Sequence, residues 1–424
     1  MVDGGSVDGK GVGARVLRKE DARHLAGKAK FTSDFKRPGQ RDMAFVRAPV
    51  GHGRITSITK PAGFEDAVFT ADDLSDLKPM RAPSKLPGYK ASDYPSLAIG
   101  KVRFAGEPVA VCVADTRAEA EDIAQMVEVE YEVLPAVTDM LAAKAAGAPL
   151  IHEEWDNNVV FETFSDDDFS KIADEATVVI KREYRMNRQV MNPMEGKAVF
   201  AEWDDRQDQL MMWTSTQVPH LIRTGLAEFL NLEQRQVRVI APDVGGGFGC
   251  KALLQPEELV AGWLTRKLEC PIRWIEDRRE HLVTGANCRE HHYFVTLHAT
   301  PDGRMLGLDC DVTVDAGAYS VYPFTNGLEG AMAHGNLPGP YDFKFYKCRT
   351  QTMVTNKPGL MPYRGVARPG VCYAVEMTID ALAREIGMEA HEIRIKNMVP
   401  EEKMPFMSIA KKHFDSGNYA KSVQ

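Results

Sequence analysis

Apolar and polar positions follow one another along the chain in blocks typical of strands and amphipathic helices. Residues 107–114 form an almost continuous apolar run that predicts a buried strand, and a helical period follows over residues 118–127. Thr116, with Glu119 three residues later, predicts a capping box at the start of that helix. Residues 128–133 then alternate as a second strand. This β-α-β order indicates an α/β or α+β domain in the first third of the chain.

A second group of blocks begins after residue 140 and predicts a larger mixed domain. Pro219 starts an amphipathic helix whose apolar residues share one face. Another helix, over residues 373–387, is expected to end at Gly387, which suits a C-cap. Residues 319–341, rich in Gly, Asn and Pro, are expected to be irregular. Further strands are expected within residues 176–189, 197–205, 209–217, 235–242, 270–277, 291–299, 305–317 and 346–356, with a helix over 256–268.

These blocks predict an α+β fold with two domains and a leading arm. Residues 1–20, rich in Gly and charge and without an apolar period, are expected to be a flexible arm. Residues 21–140 are expected to form a small α/β domain, and residues 141–424 a larger mixed α/β domain. The chain shows no internal repeat.

Composition and charge narrow the classes of function. With 44% hydrophobic and 26% charged residues, the composition is that of an ordinary globular protein. No 18-residue apolar run offers a membrane span, and the charged start lacks the apolar core of a signal peptide, so we expect a cytoplasmic location. A net charge of −8 argues against a nucleic-acid partner. The cysteines are too far apart for a local metal or iron–sulfur motif.

The stretch PDVGGGFGCK, residues 242–251, places a glycine run between a predicted strand and a predicted helix. Such a turn lets backbone N–H groups approach an anion without Cβ clashes. It is not a dinucleotide-binding fingerprint, because Cys250 stands at the position of the last glycine. It is not a P-loop either, because the same cysteine precedes Lys251. By itself the stretch fits a turn that serves packing alone equally well.

Three other predicted strand ends also carry polar groups next to Gly or Pro. Gln217 lies between a strand and the helix begun by Pro219, and Glu195 lies in a Pro-turn before a strand. Arg364 lies in the loop PYRGVARP, which suits the binding of anionic oxygens at a helix start. Each residue alone could be a capping amide, a surface carboxylate or a solvated arginine. Together, four such strand ends in one domain could surround a large polar cofactor.

In their order and spacing, the motifs NPMEGKAVFAEWD, STQVPH, VGGGFGCK and PYRGVARP resemble the molybdopterin-binding large subunit of the xanthine dehydrogenase and aldehyde oxidase family. Residues 12–35 and 106–137 are similar to the small hammerhead-like α/β domain of that subunit. The resemblance covers nearly the whole chain. It implies a hammerhead-like α/β domain followed by a mixed α/β molybdopterin-binding domain, which is the first of two cofactor-binding halves.

The resemblance also implies cofactor roles for particular residues. Gln217 matches the glutamine that hydrogen-bonds an oxygen ligand of molybdenum, and the glycine run matches the loop against the metal and the pterin dithiolene. Arg364 matches the arginine of the loop that completes the metal pocket. The implied cofactor is molybdenum-molybdopterin, in its cytosine dinucleotide form. The implied cofactor-binding residues are Gln217, Gly246, Gly247, Phe248, Gly249, Arg364 and Gly365, of which Gln217, Phe248 and Arg364 lie beside the metal without ligating it.

Three positions of the expected substrate pocket depart from the purine-hydroxylating members of the family. Ala252 stands where those members carry a substrate-binding glutamate, and Gly330 stands where they carry a substrate-binding arginine. Val366 stands where they carry an aromatic residue that stacks on the substrate ring. The resemblance therefore argues against a purine as the substrate.

The family's catalytic base is a glutamate in the second cofactor-binding half, and full large subunits are considerably longer than this chain. We therefore expect no catalytic residue in the chain. Either the chain is a fragment, or a second molybdopterin-binding subunit brings the glutamate, and we favour the second explanation. The further partners implied are an iron–sulfur subunit, a subunit that carries FAD and a small-molecule substrate.

The resemblance implies a molybdenum hydroxylase or dehydrogenase subunit that oxidises an N-heteroaromatic, aldehyde or related carbonyl compound with oxygen from water. One alternative keeps the cofactor for non-hydroxylating chemistry, such as hydration of an activated double bond or a reduction. Another alternative is a scaffold subunit without cofactor. The presence of Gln217, Phe248 and Arg364 argues against the scaffold.

Overall fold

The computed structural model of the protein describes residue 14, residues 16–285 and residues 287–424. Most of the arm predicted at residues 1–20 lies outside the described residues. The α-helices of the described part are α1 (Asp21–Leu25), α2 (Arg117–Met126), α3 (Met140–Lys144), α4 (Pro219–Phe229), α5 (Pro256–Leu268), α6 (Arg278–Thr284), α7 (Gly327–Asn336), α8 (Arg368–Ile386), α9 (Ala390–Asn397) and α10 (Tyr419–Val423). Among the described residues, no helix combines the length and apolar character that a membrane span requires.

The strands belong to two large sheets and three small ones. In chain order they are β1 (Arg41–Arg47), β2 (Gly53–Thr59), β3 (Val68–Thr70), β4 (Lys101–Val102), β5 (Pro108–Ala114), β6 (Glu128–Val133), β7 (Val159–Asp166), β8 (Val178–Met186), β9 (Gln189–Val190), β10 (Ala198–Asp204), β11 (Gln209–Thr214), β12 (Val237–Ile240), β13 (Ile272–Ile275), β14 (Asn287–Cys288), β15 (His291–Ala299), β16 (Met305–Asp315), β17 (Phe345–Met353), β18 (Phe406–Met407) and β19 (His413–Phe414).

The seven-stranded sheet contains strands from both sides of the boundary expected at residue 140. Its order is β12-β11-β10-β13-β1-β5-β3, and β1 and β13 pair in parallel, with Arg41 opposite Ile272. Beside this pairing, the Arg273 guanidinium donates to both carboxylate oxygens of Asp42, at 2.7 Å and 3.0 Å. Because both side chains are mostly buried, this charged pair ties the two parts of the sheet together. The domain boundary itself stays a prediction.

The five-stranded sheet lies wholly within the second part of the chain. Its order is β7-β17-β16-β15-β8, and α7 and α8 pack against it. The alternation of β15 turns residues such as Tyr293, Val295 and Leu297 into the core, where they meet the apolar face of α8. This sheet therefore forms a second core beside that of the seven-stranded sheet.

Most of the predicted elements are confirmed, including the capping box before α2. Thr116 Oγ1 accepts from the Glu119 N–H at 3.3 Å, and Glu119 Oε2 accepts from the Thr116 N–H at 3.1 Å. The predicted β-α-β unit is different in one respect, because β5 and β6 belong to different sheets. All of β5 is buried, so it lies inside the large sheet between β1 and β3, whereas the largely exposed β6 pairs with β2.

The prediction that residues 319–341 are irregular is wrong in the middle of this stretch, where α7 forms. Glycines lower helix propensity, but here they let the helix lie close to the sheet. A Cβ at Gly327 would lie 3.2 Å from the Phe161 ring, and one at Gly330 would lie 2.5 Å from Thr352 Oγ1. Tertiary packing therefore outweighs composition in this stretch.

A buried polar group joins the first part of the chain to the second. Tyr94 stacks on Tyr319 with ring centroids 4.5 Å apart, and the Arg103 guanidinium donates to the Tyr319 hydroxyl at 2.9 Å. Glu107, which is completely buried, accepts from the backbone N–H of Arg103. Burial raises the pKa of the Glu107 carboxyl from 4.5 to about 7, although the hydrogen bond from Arg103 opposes this.

Glu107 makes stability depend on pH in a defined direction. Between pH 4.5 and pH 7 the folded state keeps a proton on Glu107 that the unfolded state has released, so stability falls as the pH rises through this window. We expect Glu107→Gln to remove this contribution, which amounts to at most about 3 kcal/mol. Urea unfolding midpoints measured from pH 5 to pH 8 test the difference between variant and wild type.

The matched control is Glu132→Gln, because Glu132 is an exposed carboxylate 3.6 Å from Arg54. Its substitution should leave the pH dependence of the wild type intact. A Glu107→Gln protein with the same pH slope as the wild type would show that Glu107 does not titrate in this window.

Candidate functional site

The glycine run lies in the loop that connects β12 to α5, and buried charges hold its base. Glu195 Oε2 accepts from the Gly245 N–H and from Lys251 Nζ, both at 2.7 Å. Lys251 is almost fully buried. Burial lowers the pKa of the Lys251 ammonium, and the hydrogen bond that the ammonium donates to Glu195 opposes this shift. The two ends of the run are therefore fixed to one carboxylate.

Gln217 lies directly against the glycine run. Its backbone N–H donates to the Lys251 carbonyl at 2.9 Å, and its side-chain oxygen accepts from the Gly249 N–H at 2.9 Å. A Cβ at Gly247 would lie 2.6 Å from the Gln217 side chain. The glycine at position 247 is therefore required by the approach of this amide, whose NH₂ group stays free of hydrogen bonds to the described residues.

The loop that contains Arg364 meets the other side of the glycine run. The Arg364 N–H donates to the Phe248 carbonyl at 2.9 Å. A Cβ at Gly249 would lie 1.9 Å from the Pro362 oxygen, and Gly249 has a φ of +114°. Because both the space and the backbone conformation exclude a side chain, only glycine can close this junction.

A buried arginine, Arg289, in the link between β14 and β15 holds the loop of Arg364 in place. The Arg289 guanidinium donates to the carbonyls of Tyr363 and Val366, both at 3.1 Å, and also to the Arg364 carbonyl. It stacks on the Tyr363 ring, 4.1 Å from the ring centroid. Val366 itself has a φ of +54°, which is strained for a β-branched residue. Arg289 therefore stabilises a backbone conformation that Val366 disfavours.

The structure brings together all the residues predicted to bind cofactor. The side chains of Gln217, Phe248 and Arg364 are exposed, although their backbones are joined by the hydrogen bonds above. Gly365 lies in the same loop, with a φ of +95°. The N–H groups of Gly246, Gly247 and Phe248 donate to no atom of the described residues. The site therefore offers free donors on an open surface.

These donors fit the group that the sequence implies. Backbone N–H groups, an amide and an arginine suit the oxygen-rich anionic surface of a pterin cofactor. Among the described residues, no group of three or more His, Cys, Asp or Glu side chains could hold a metal ion. The described residues at this site therefore offer hydrogen-bond donors for a cofactor.

The three residues predicted for the substrate pocket lie in different surroundings. Val366 lines a narrow cleft next to the junction of the two loops. Ala252 is buried in the turn after the glycine run, where its N–H donates to the Gly249 carbonyl at 3.0 Å. A Cβ at Gly330 would point toward Thr352 of β17, and Gly330 does not line the cleft. The neighbouring residue Glu329 does line it.

Sequence reasoning did not assign roles to Lys251, Arg289 or Glu329. Lys251 adjoins the glycine run, but a lysine is usually exposed and its burial could not be predicted. Arg289 is 75 residues from the Arg364 carbonyl that it holds, so only the fold brings the two together. Glu329 lies in the helix that was expected to be irregular.

Two family models match the chain. The molybdopterin cofactor-binding domain matches residues 151–398, and the α/β hammerhead domain of aldehyde oxidase and xanthine dehydrogenase matches residues 26–135. The predicted α+β class, with a hammerhead domain before a mixed molybdopterin-binding domain, is confirmed.

Several known proteins are similar over nearly the whole chain. The large subunit of nicotine 6-hydroxylase from Paenarthrobacter nicotinovorans is 35% identical over 396 residues, which cover 92% of this chain and 48% of that protein. The crystal structure of quinoline 2-oxidoreductase from Pseudomonas putida 86 matches with a TM-score of 0.93 and 35% identity, over 96% of this chain and 52% of that one.

The length of the similar proteins varies. The chain spans about half the length of the nicotine 6-hydroxylase subunit. The large molybdopterin subunit of nicotinate dehydrogenase from Eubacterium barkeri is 27% identical over 394 residues, which cover 91% of this chain and 89% of that protein. Taken with the two domain matches, these similarities show that the chain belongs to the molybdopterin-binding large subunits of the aldehyde oxidase and xanthine dehydrogenase family.

Proposed function

We propose that the chain supplies half of the molybdenum-molybdopterin site of a hydroxylase or dehydrogenase that oxidises an N-heteroaromatic, aldehyde or related carbonyl compound. One observation carries the proposal: the loops of Gln217, Phe248 and Arg364 are joined by direct hydrogen bonds, yet their side chains remain exposed. Backbones fixed in this way hold the donors in place before a cofactor binds.

The residues of the chain have distinct roles in this proposal. The Gln217 NH₂ group and the free N–H groups of the glycine run bind cofactor oxygens, and Arg364 supplies positive charge at the rim. Phe248 would cover part of the bound cofactor with a large apolar side chain and so help to exclude water. When bound, the cofactor supplies two-electron redox chemistry with oxygen taken from water. Lys251, Glu195 and Arg289 position the loops.

Three of the similar proteins favour a nitrogen heterocycle as the substrate. By their names, they act on nicotine, quinoline and nicotinate, each of which contains an aromatic nitrogen ring, whereas two others, 34% and 32% identical, are carbon monoxide dehydrogenase large chains. The small residues Ala252, Gly330 and Val366 lack the groups that purine-hydroxylating members use. We propose a related N-heteroaromatic compound as the substrate class.

The open face of the site supports a partner that completes it. We propose that a second molybdopterin-binding subunit covers this face and brings the catalytic base, and the nicotinate dehydrogenase subunit of similar length supports such a division. An iron–sulfur subunit and an FAD subunit would carry the electrons away. The cytosine dinucleotide form of the cofactor and the cytoplasmic location stay predictions.

Metal content and isotope transfer test the function. The purified complex should contain about one molybdenum per copy of this chain and should release a pterin on denaturation; a complex without metal would support the scaffold alternative. With N-heteroaromatic compounds in ¹⁸O-labelled water, we expect labelled product when an electron acceptor is present and no product when it is absent. Labelled product without an acceptor would indicate hydration instead.

Gly249→Ala tests the junction of the two loops. Its Cβ would lie 1.9 Å from the Pro362 oxygen, so the loops must separate or distort. We expect the variant to lose most of its molybdenum, as measured by elemental analysis of the purified complex.

The matched control is Gly63→Ala, because Gly63 has a φ of +83° with no atom within 4 Å of an added Cβ. It carries the backbone strain without the close contact, and its metal content should equal that of the wild type. Equal metal loss in both variants would attribute the effect to general destabilisation, and wild-type metal content in Gly249→Ala would refute the role of the junction.

Arg364→Ala tests the rim of the site. Loss of a charged hydrogen bond is expected to weaken cofactor retention about tenfold to a hundredfold, which dialysis followed by molybdenum analysis can measure. Arg206→Ala serves as a control because Arg206 is an almost fully exposed arginine in the turn between β10 and β11, outside the three loops of the site. Unchanged retention and turnover in Arg364→Ala would remove this residue from the site.

A further inference from the structure

The carboxylate of Asp243 lies at the start of the loop that contains the glycine run. Asp243 follows β12 and precedes Gly245 by two residues, and the Gly245 N–H donates to Glu195. The Asp243 side chain is only 8% exposed, although it belongs to a loop. The proposed function assigns no role to this carboxylate.

Three residues of one N-terminal segment, residues 21–30, bind this carboxylate. The Arg23 guanidinium donates to both oxygens of Asp243, which makes a bidentate pair. The Lys30 N–H donates to Oδ2 at 2.8 Å, and His24 Nε2 lies 3.2 Å from Oδ1. In return, the Asp243 N–H donates to the Lys30 carbonyl at 3.1 Å. Both backbone and side chains therefore join the N-terminal segment to the glycine loop.

Arg23 and Asp243 balance each other's charge. The hydrogen bonds from Arg23 and from the Lys30 N–H hold the pKa of the Asp243 carboxyl well below its usual value, so this group is ionised at neutral pH. Among the described residues, the Arg23 guanidinium donates to Asp243 alone. Removal of either side chain would therefore leave the other charge without its partner.

The N-terminal segment is itself held by the seven-stranded sheet. Directly after it, Thr32 is completely buried, and the Phe35 ring lies against the Trp213 ring of β11 with centroids 5.6 Å apart. Arg41 then begins β1 in the same sheet. The segment is therefore a support with a fixed end, and it can restrain the loop to which it is bound.

This contact adds something that the domain matches do not assign. Arg23 and Asp243 are 220 residues apart in sequence. The hammerhead model begins at residue 26 and the cofactor-binding model at residue 151, so Arg23 and His24 lie outside both. The fold alone brings these residues to the glycine loop.

We infer that Asp243 and Arg23 are positioning residues that tie the start of the glycine run to the N-terminal segment and so hold its N–H groups in place for the cofactor. Glycine has more backbone freedom than any other residue, so a glycine run holds a defined shape only when both of its ends are fixed. Lys251 and Gln217 fix the far end, and Asp243 fixes the start. The inference rests on the proposed function, because the run is taken as a cofactor-binding loop.

Hydrogen exchange of the full chain, produced in cells that lack molybdopterin, tests the inference without cofactor. The N–H groups of Gly245 and Gly249 are both hydrogen-bonded. Arg23→Ala should increase their exchange at least about tenfold, because the start of the run loses its anchor. A contact that holds only the N-terminal segment would instead change exchange at Lys30 and Asp243 alone. Mass spectrometry with fragmentation of the peptides resolves these positions.

Arg18→Ala is the matched control. Arg18 forms an exposed ion pair with Asp21 at 2.6 Å, close to Arg23 in sequence, and makes no hydrogen bond to the glycine loop. Its exchange at the run should equal that of the wild type. Arg23→Lys keeps the charge without the bidentate geometry and should give a smaller increase than Arg23→Ala. Asp243→Asn added to Arg23→Ala should change exchange no further, because the two residues act through one contact.

Molybdenum retention connects the contact to the cofactor. During dialysis of the purified complex, Arg23→Ala should lose molybdenum about tenfold faster than the wild type, whereas Arg18→Ala should retain it. Elemental analysis measures the difference, and thermal unfolding shows whether each variant is folded. If Arg23→Ala does not fold, Arg23→Lys provides the same two comparisons.

Wild-type exchange at Gly245 and Gly249 in a folded Arg23 variant would overturn the inference, as would wild-type retention of molybdenum. An equal effect of Arg18→Ala would also overturn it. Failure of the proposed function has a different signature, namely absence of molybdenum from the wild-type complex, because the exchange measurement requires no cofactor.

Discussion

The candidate site depends on one steric constraint: two loops approach so closely that no side chain can stand between them. The Gly249 backbone lies against the Pro362 oxygen, and the Gln217 amide lies against Gly247. These contacts place three polar strand ends, distant in sequence, within hydrogen-bond reach of one another. Positions 247 and 249 therefore require glycine. Phe248 is the one residue with a side chain within residues 245–249, and this side chain is exposed.

Buried charges near the base of the loops form a network of ion pairs and hydrogen bonds. The Lys197 ammonium pairs with Glu258 at 2.8 Å, and both residues are almost completely buried. Next to this pair, Glu276 accepts from the Lys197 N–H and contacts His281. Such networks hold their geometry only when each polar group has a partner. The network lies under the same loop whose upper surface remains open, which is the arrangement that a preorganised binding site requires.

The loop of Arg364 contains a strained backbone position, and neighbouring hydrogen bonds stabilise it. Val366 adopts a left-handed conformation that a β-branched residue disfavours, and three carbonyl contacts from Arg289 oppose its relaxation. The same loop forms one wall of the cleft that contains Glu329. The strained position therefore lies between the proposed cofactor site and this cleft.

The sequence by itself determined the secondary structure where local signals are strong, as at the Thr116 capping box and the helix begun by Pro219. It also determined the family, because the four motifs keep their order and spacing. The tertiary structure decided what depends on distant contacts. It formed α7 from a glycine-rich stretch, since Gly327 and Gly330 let the helix lie on the sheet, and it separated β5 from β6 according to their burial. It also buried Lys251, brought Arg289 to a loop 75 residues away and turned Glu329 rather than Gly330 toward the cleft. Local propensity and motif spacing depend on residues that are near each other in sequence. Burial and side-chain direction depend on how the sheets and helices pack, so the tertiary structure determines them.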